Sequence, residues 1–145
     1  MKGKAMLIDQ GDLLWGMDRL FIKDFMAVSA KVRFEKEDVI FREGDKAAYF
    51  YTLVEGRVRL STGEPPKEIY LIDKAGEAFG WSSLVDRNYY SATAECLEPC
   101  QLLQFKKNDL NRFLLKNVES ASIFYKRLAG MLGNRLVQCY KLINP

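Results

Sequence analysis

The sequence contains no histidine, and this absence removes a large part of the catalytic repertoire. Imidazole ligands for zinc or haem iron, Ser-His and Cys-His nucleophiles and imidazole acid–base chemistry are all excluded. Carboxylate or lysine chemistry remains open, but no pair of acidic residues stands out in a strongly apolar stretch. We therefore predict that the protein is not an enzyme, and we predict no cofactor and no metal site.

Cysteines and long apolar runs are also scarce. The three cysteines, Cys96, Cys100 and Cys139, form an odd set without a C-x-x-C motif, which favours reduced thiols over a disulfide framework. No stretch approaches the roughly 20 apolar residues that a membrane-spanning helix needs. The N-terminal segment MKGKAMLIDQGDLLWGM is broken by polar residues and offers no signal peptide. These features predict a cytoplasmic protein that does not bind membranes.

The net charge of the chain is small. The chain has 22 Lys and Arg residues against 19 Asp and Glu residues, a net charge of +3, and no run of basic residues. Nucleic-acid binding requires a clustered basic patch or stripe, so charge alone gives no support for it. The length of 145 residues fits one domain that is large enough to bury a core.

What the sequence does contain is a change of hydrophobic period along the chain. Between Leu13 and Val28, apolar residues recur every three or four positions, which predicts either one helix or two short helices broken near Gly16. From Lys31 the period becomes two, and about eight short runs punctuated by Gly and Pro follow. The pattern predicts an antiparallel β-sandwich or jelly roll.

The single domain, residues 1–145, is therefore predicted to have three parts. An N-terminal helical region covers residues 13–30, a β-barrel covers 31–106 and C-terminal helices cover 107–143. Within the barrel, the segment AAYFYTLVEGRVRL predicts two strands joined in a hairpin at Glu55-Gly56.

Two helices are predicted after the strands, the first capped by Asn108 and the second, from Val118 towards Ile143, capped by Asn117. An apolar stripe follows the second helix at spacings of three and four: Tyr125, Leu128, Leu132, Leu136, Cys139 and Ile143. The stripe either packs on its own barrel, or its outer part pairs with a second copy as a short coiled coil. In the second case the protein is a homodimer whose dimer helix uses Leu128, Leu132, Leu136 and Cys139.

The order of three motifs resembles a known family. FREGDKAAYFYTLVEGRVRL, then GEAFGWSSL, then YSATAE and a helix pair, is similar to the cyclic nucleotide-binding domain, the sensory module of catabolite-activator-type bacterial regulators, kinase regulatory subunits and gated channels. The likeness extends from about Leu13 to Ile143. Glycine turns also fall at matching distances, at Gly44, Gly56, Gly76 and Gly80. The resemblance implies a double-stranded β-helix, or jelly-roll barrel, flanked by N-terminal and C-terminal helices, and a regulatory role in signalling.

In this family a short helix and loop, the phosphate-binding cassette, hold the cyclic phosphate and the ribose of the ligand. The resemblance places the cassette on Phe79, Gly80, Trp81, Ser82, Ser83, Arg87, Tyr90, Ser91 and Ala92. Unpaired N–H groups at the start of a helix favour an anion, so the backbone part of the site remains available to a simple anion such as sulfate.

Two side chains depart from the family pattern. The position normally taken by a glutamate, which accepts hydrogen bonds from the ribose 2′-hydroxyl, is Trp81, and an indole cannot accept them. The arginine that pairs with the phosphate falls on Tyr90, and a tyrosine supplies no charged, bidentate contact. Arg87 is the nearby cation that could compensate. We therefore predict that cyclic AMP and cyclic GMP bind weakly or not at all.

The aromatic residues Trp81, Tyr89 and Tyr90 leave the role of the pocket open. They either fill it and leave a ligand-free protein-interaction module, or line it for a flat ligand of lower charge. A cyclic nucleotide held through Arg87 or through backbone contacts is a third alternative.

Catabolite-activator-type regulators continue from the long helix into a helix-turn-helix domain, whereas this sequence ends at Pro145. We therefore expect output through dimerisation or a partner protein, and no direct DNA binding.

Overall fold

The computed structural model describes residues 11–145, which contain helices at both ends and a β-barrel between them. The helices are α1 (Gly11–Leu14), α2 (Arg19–Val28), α3 (Lys107–Lys116) and α4 (Val118–Ile143). The strands are β1 (Ala30–Phe34), β2 (Val39–Phe41), β3 (Tyr49–Glu55), β4 (Val58–Thr62), β5 (Lys67–Ile72), β6 (Ala78–Phe79), β7 (Thr93–Cys96) and β8 (Cys100–Lys106). A 3-10 helix, Trp81–Leu84, lies one residue after β6.

The strands form two four-stranded sheets in which every pair is antiparallel. The first sheet has the order β1-β8-β3-β6 and the second has the order β2-β7-β4-β5. Because side chains alternate along a strand, Phe50 and Leu103 pack with the helices while Tyr51 and Leu102 pack between the sheets. The predicted jelly-roll barrel with flanking helices is confirmed.

The predicted hairpin between β3 and β4 is wrong. These two strands belong to different sheets, and β4 pairs instead with β5 and β7. Gly56 turns the chain from one sheet to the other with a φ of 117°, and a Cβ there would lie 2.8 Å from the carbonyl oxygen of Pro99. A glycine turn between two strands looks the same in sequence whether the strands pair or separate.

The N-terminal region consists of two short helices, as one of the two predicted alternatives had it. Gly16, with a φ of 76°, lies between them, and the Asp18 carboxylate caps α2 by accepting a hydrogen bond from Phe21 N at 3.0 Å. The predicted cap at Asn108 is wrong, because Asn108 lies inside α3. Asn117 is the N-cap residue of α4, as predicted, and its backbone oxygen accepts the first hydrogen bond of that helix from Ala121 N at 2.8 Å. Its side chain makes no capping bond and donates instead to Phe113 O at 2.8 Å, at the end of α3.

The apolar stripe of α4 divides between two faces of the helix. Leu128 is buried with Phe124 in the core between the helices and the first sheet, so it belongs to the protomer core and not to an outer stripe. Leu132 and Cys139 are half-buried, while Leu136 is exposed. The inner face therefore fixes α4 to the barrel and the outer face remains accessible.

Candidate functional site

The candidate site begins where β6 ends. β6 pairs with β3, with Phe79 opposite Tyr51, and Gly80 then adopts a φ of 76° at the start of the 3-10 helix. A Cβ at Gly80 would lie 2.9 Å from the carbonyl oxygen of Tyr49. Glycine is therefore required here both by the backbone conformation and by the close approach of β3.

The polar groups of the 3-10 helix form hydrogen bonds within the turn itself. Ser83 donates two hydrogen bonds to the carbonyl oxygen of Gly80, from its backbone N at 3.2 Å and from its Oγ at 2.8 Å. Ser82 and Ser83 are both buried. The Ser83 hydroxyl proton is thus used inside the turn and is not presented to a ligand.

Tyr90 occupies the inside of the barrel beside this helix. Its hydroxyl donates to Tyr49 O at 2.6 Å and accepts from Tyr49 N at 3.0 Å. Its ring lies on the ring of Phe41, with centroids 3.7 Å apart and planes 13° apart. Burial of the phenol raises the pKa of Tyr90 well above its usual range. The side chain is therefore a neutral group fixed at both its ring and its hydroxyl.

Further rings fill the space between the sheets. Tyr51 lies between Phe41 and Phe79, at centroid distances of 5.9 Å and 5.2 Å. The cavity that remains is about 20 Å³ and is lined by Phe41, Leu60, Gly80, Trp81, Ser82, Tyr90, Ser91 and Ala92. A space of this size holds about one water molecule. Among the described residues that line it, none is charged.

The structure brings most of the predicted cassette residues together, but not all of them. Gly80, Trp81, Ser82, Tyr90, Ser91 and Ala92 line the small cavity. Phe79 packs behind it among the rings, and Ser83 turns towards Gly80. Arg87 is exposed, with its guanidinium carbon 5.8 Å from the centre of the Trp81 ring, and the Tyr89 side chain is 60% exposed.

The contribution of Phe41 and Tyr51 was not predicted. Both are inward-facing residues of short strands, and in sequence they look like ordinary alternating core positions. Only the pairing of β3 with β6 places Tyr51 against the cassette.

A cluster of polar side chains connects β5 and the turn between β5 and β6 to α4. Oε1 of Glu77, which precedes β6, accepts hydrogen bonds from Asp73 N and Lys74 N at 3.0 Å each, and Oε2 accepts one from the Tyr70 hydroxyl at 2.9 Å. Arg135 of α4 lies 3.9 Å from Oε2 and 4.8 Å above the Tyr70 ring. Burial lowers the pKa of Arg135, and the Glu77 carboxylate opposes this shift. Nothing in the sequence indicated this cluster, because an arginine on a helix usually lies at the surface.

Comparison with known proteins decides the family. A sequence model of the cyclic nucleotide-binding domain matches residues 31–117, more than half of the chain. The chain belongs to this family. The cyclic nucleotide-binding domain from Methylobacillus flagellatus is similar in fold, with a TM-score of 0.83 and 18% identity over 98% of this chain and 83% of that chain.

Two further relatives show how widely this domain is used. The sensor domain of the transcriptional regulator DNR from Pseudomonas aeruginosa has a TM-score of 0.71 and 25% identity, over 93% of this chain and 92% of that chain. The cyclic nucleotide-gated channel beta-1 of Bos taurus is 27% identical over 131 residues, which are 88% of this chain and 9% of the channel. The chain therefore spans about a tenth of the channel's length. No helix within residues 11–145 combines the length and apolarity needed to cross a bilayer.

The structure also places the two side chains that depart from the expected family pattern. At the position that the resemblance assigns to the phosphate-binding arginine, the Tyr90 hydroxyl forms hydrogen bonds with the backbone of Tyr49 in β3. At the position assigned to the ribose-binding glutamate, the Trp81 ring is half-buried at the rim of the cavity. At both positions this chain has an aromatic ring, where the resemblance implies a charged side chain.

Proposed function

We propose that this cyclic nucleotide-binding domain is a regulatory module whose barrel is closed by its own side chains, so that it does not bind cyclic AMP or cyclic GMP in the family manner. The observation that carries this proposal is the position of Tyr90, which takes up the barrel interior and leaves a cavity of about 20 Å³. Sites for small molecules generally have volumes of about 300–1,000 Å³.

Charge supports the same conclusion. A cyclic nucleotide carries a negative phosphate, and burial of an anion without a charged or strongly hydrogen-bonding partner is costly. The described lining of the cavity contains only neutral side chains, and Arg87 is exposed beside Trp81. A phosphate inside the barrel would therefore lack the cation that usually binds it.

Opening the pocket would also carry a conformational cost. Displacement of Tyr90 breaks two hydrogen bonds to Tyr49, at about 1 kcal/mol each. It also separates Tyr90 from Phe41, which costs about 0.5–1.5 kcal/mol. A total near 3 kcal/mol lowers the apparent affinity of any ligand in the barrel by about 100-fold.

Thermal unfolding in the presence of excess ligand tests this proposal. A ligand with a micromolar dissociation constant, present at a thousandfold excess over that constant, stabilises a protein by about 4 kcal/mol. For a protein of this size such a gain raises the melting temperature by about 10 °C. We expect millimolar cyclic AMP and cyclic GMP to change the melting temperature by less than about 1 °C. A rise of several degrees with either nucleotide would contradict the closed barrel.

We propose that the module transmits its signal through dimerisation along the outer face of α4. This face carries apolar or small residues at alternating steps of four and three: Tyr125, Ala129, Leu132, Leu136, Cys139 and Ile143. Such steps form the contact seam of a two-stranded coiled coil. Leu136 is 51% exposed and Ile143 is 82% exposed in the single chain. A second copy covers the seam with the same residues, as a two-fold dimer requires.

The substitution Leu136→Glu is expected to convert the dimer into a monomer without unfolding the barrel, because it places a charge in the seam while the core residues remain in place. Leu142→Glu is the matched control. Leu142 is also exposed, at 56%, but six residues further on it lies about 120° around the helix. Sedimentation at high micromolar concentration measures both variants. The proposal would be contradicted if the unmodified protein were a monomer, or if Leu142→Glu dissociated the dimer as much as Leu136→Glu does.

The module is proposed to act as a non-enzymatic, cytoplasmic protein. The absence of histidine from the whole sequence supports the first part. Cys96 and Cys100 support the second, because both are buried free thiols, as is usual in a reducing compartment.

A further inference from the structure

A groove of about 740 Å³ lies outside the barrel, between the barrel and α3. Its lining comes from the β2–β3 connection, from the segment after the 3-10 helix and from the β8–α3 junction. The volume falls within the range of about 300–1,000 Å³ that is typical of small-molecule sites. The groove is therefore large enough for a ligand that the barrel interior cannot contain.

The walls of the groove are held by backbone hydrogen bonds. Ala47 N donates to Asn88 O at 2.8 Å, and Lys46 and Tyr89 form an antiparallel bridge. Lys107 N donates to Ala48 O at 3.0 Å, which connects the start of α3 to the same segment. Backbone hydrogen bonds thus hold the three wall segments together.

The groove is strongly basic for a chain of nearly balanced charge. Four cations line it, Lys46, Lys106, Lys107 and Arg112, together with one carboxylate, Asp109. Asp109 Oδ1 lies 3.0 Å from Arg112 Nη2 and so pairs with that cation. Within residues 11–145, the three lysines form no ion pair. The lining of one concave surface therefore includes three lysines that have no ion-pair partner in the described part of the chain.

Two tyrosines add flat apolar surface to these charges. Tyr49 is half-buried and Tyr89 is 60% exposed, and both line the groove. An exposed ring beside several cations suits a ligand that combines a planar ring with phosphate groups. The charges are gathered in one cavity and do not form an extended stripe, which favours a small polyanion over a nucleic acid.

We propose that this groove binds a nucleoside diphosphate or triphosphate. The phosphates pair with Lys46, Lys106 and Lys107, and the base lies against Tyr89. Because Lys46 belongs to the barrel and Lys107 to α3, the bound phosphates hold α3 against the barrel, and α3 leads directly into the dimer helix α4. The proposal does not rest on a closed barrel, since the groove and the barrel interior share no lining residue.

Calorimetric titration of the full chain with ADP tests the site. We expect micromolar binding at low salt that weakens as salt is raised. The double variant Lys46→Glu/Lys107→Glu is expected to weaken binding by at least about tenfold. Lys67→Glu is the matched control, because Lys67 is exposed on β5 and does not line the groove. Tyr89→Ala is expected to weaken ADP but to leave pyrophosphate binding unchanged.

Three results would overturn the proposal. One is ADP binding weaker than millimolar, and another is equal weakening by Lys67→Glu. The third is tight, Lys46-dependent binding of an acidic peptide or an oligonucleotide while ADP does not bind, which would assign the groove to a macromolecule. The same variants distinguish binding in the groove from binding inside the barrel. The affinity of a nucleotide inside the barrel would change on substitution of Tyr90 and would not change in Lys46→Glu/Lys107→Glu.

Discussion

The double variant Trp81→Glu/Tyr90→Arg is expected to bind cyclic AMP at least about 100-fold more tightly than the unmodified protein. Removal of the Tyr90 phenol vacates the space beside Phe41, and the new arginine supplies the missing cation for the phosphate. The new glutamate supplies an acceptor for the ribose hydroxyl. Two hydrogen bonds to charged groups are together worth about 3–6 kcal/mol, which corresponds to at least two orders of magnitude in affinity.

Single variants separate the contributions of space and charge. Tyr90→Phe keeps the ring on Phe41 and removes only the bonds to Tyr49, so it is expected to gain little affinity. Tyr90→Ala opens the space without a cation and is expected to gain less than Tyr90→Arg. Neither Trp81→Glu nor Tyr90→Arg alone should recover the whole effect, because they contact different parts of the ligand. A folded double variant that binds no better than the unmodified protein would contradict this interpretation.

Glu77→Ala is expected to lower the free energy of unfolding by about 3–5 kcal/mol, as the loss of one partner of a buried ion pair does. The substitution leaves Arg135, which is only 7% exposed, without its carboxylate. It also removes the acceptor for Tyr70 and for the backbone N–H groups of residues 73 and 74. Urea unfolding followed by circular dichroism measures the loss.

Two comparisons identify the cause of that loss. Glu98→Ala removes a half-exposed ion pair with Arg57, at 3.1 Å, and is expected to cost less than about 1 kcal/mol. In an Arg135→Met background, Glu77→Ala should cost less than it does alone, because no buried cation is left uncompensated. Equal costs in both backgrounds would show that the backbone hydrogen bonds of Glu77, and not Arg135, determine its importance.

The fold could be predicted from sequence because its signals are local and repeated. The change of period near Lys31 and the glycine turns define short strands between helices, and the structure has them in that order. Pairing is not local, and this is why the hairpin at Gly56 was predicted wrongly. The position of the N-cap at Asn117 was predicted correctly, but its side-chain bond was not, because the side chain turns back to Phe113 at the end of α3.

The candidate site was predicted in part. The resemblance assigns Trp81 and Tyr90 to positions where a charged side chain is expected, but the sequence could not tell whether those rings fill the pocket or line it. That distinction depends on Phe41, which belongs to the second sheet and lies on Tyr90, and on Tyr51, which meets Phe79 through the pairing of β3 with β6. The Tyr89 ring, expected to share this role, lies outside instead because its backbone pairs with Lys46.

The most direct test of the closed barrel is a structure of the unmodified protein determined in millimolar cyclic AMP. We expect the Tyr90 ring to remain on Phe41, with its hydroxyl within hydrogen-bonding distance of the Tyr49 backbone, and no nucleotide between the two sheets. A nucleotide bound between the sheets, with Tyr90 displaced and the phosphate at the 3-10 helix Trp81–Leu84, would contradict the proposed function.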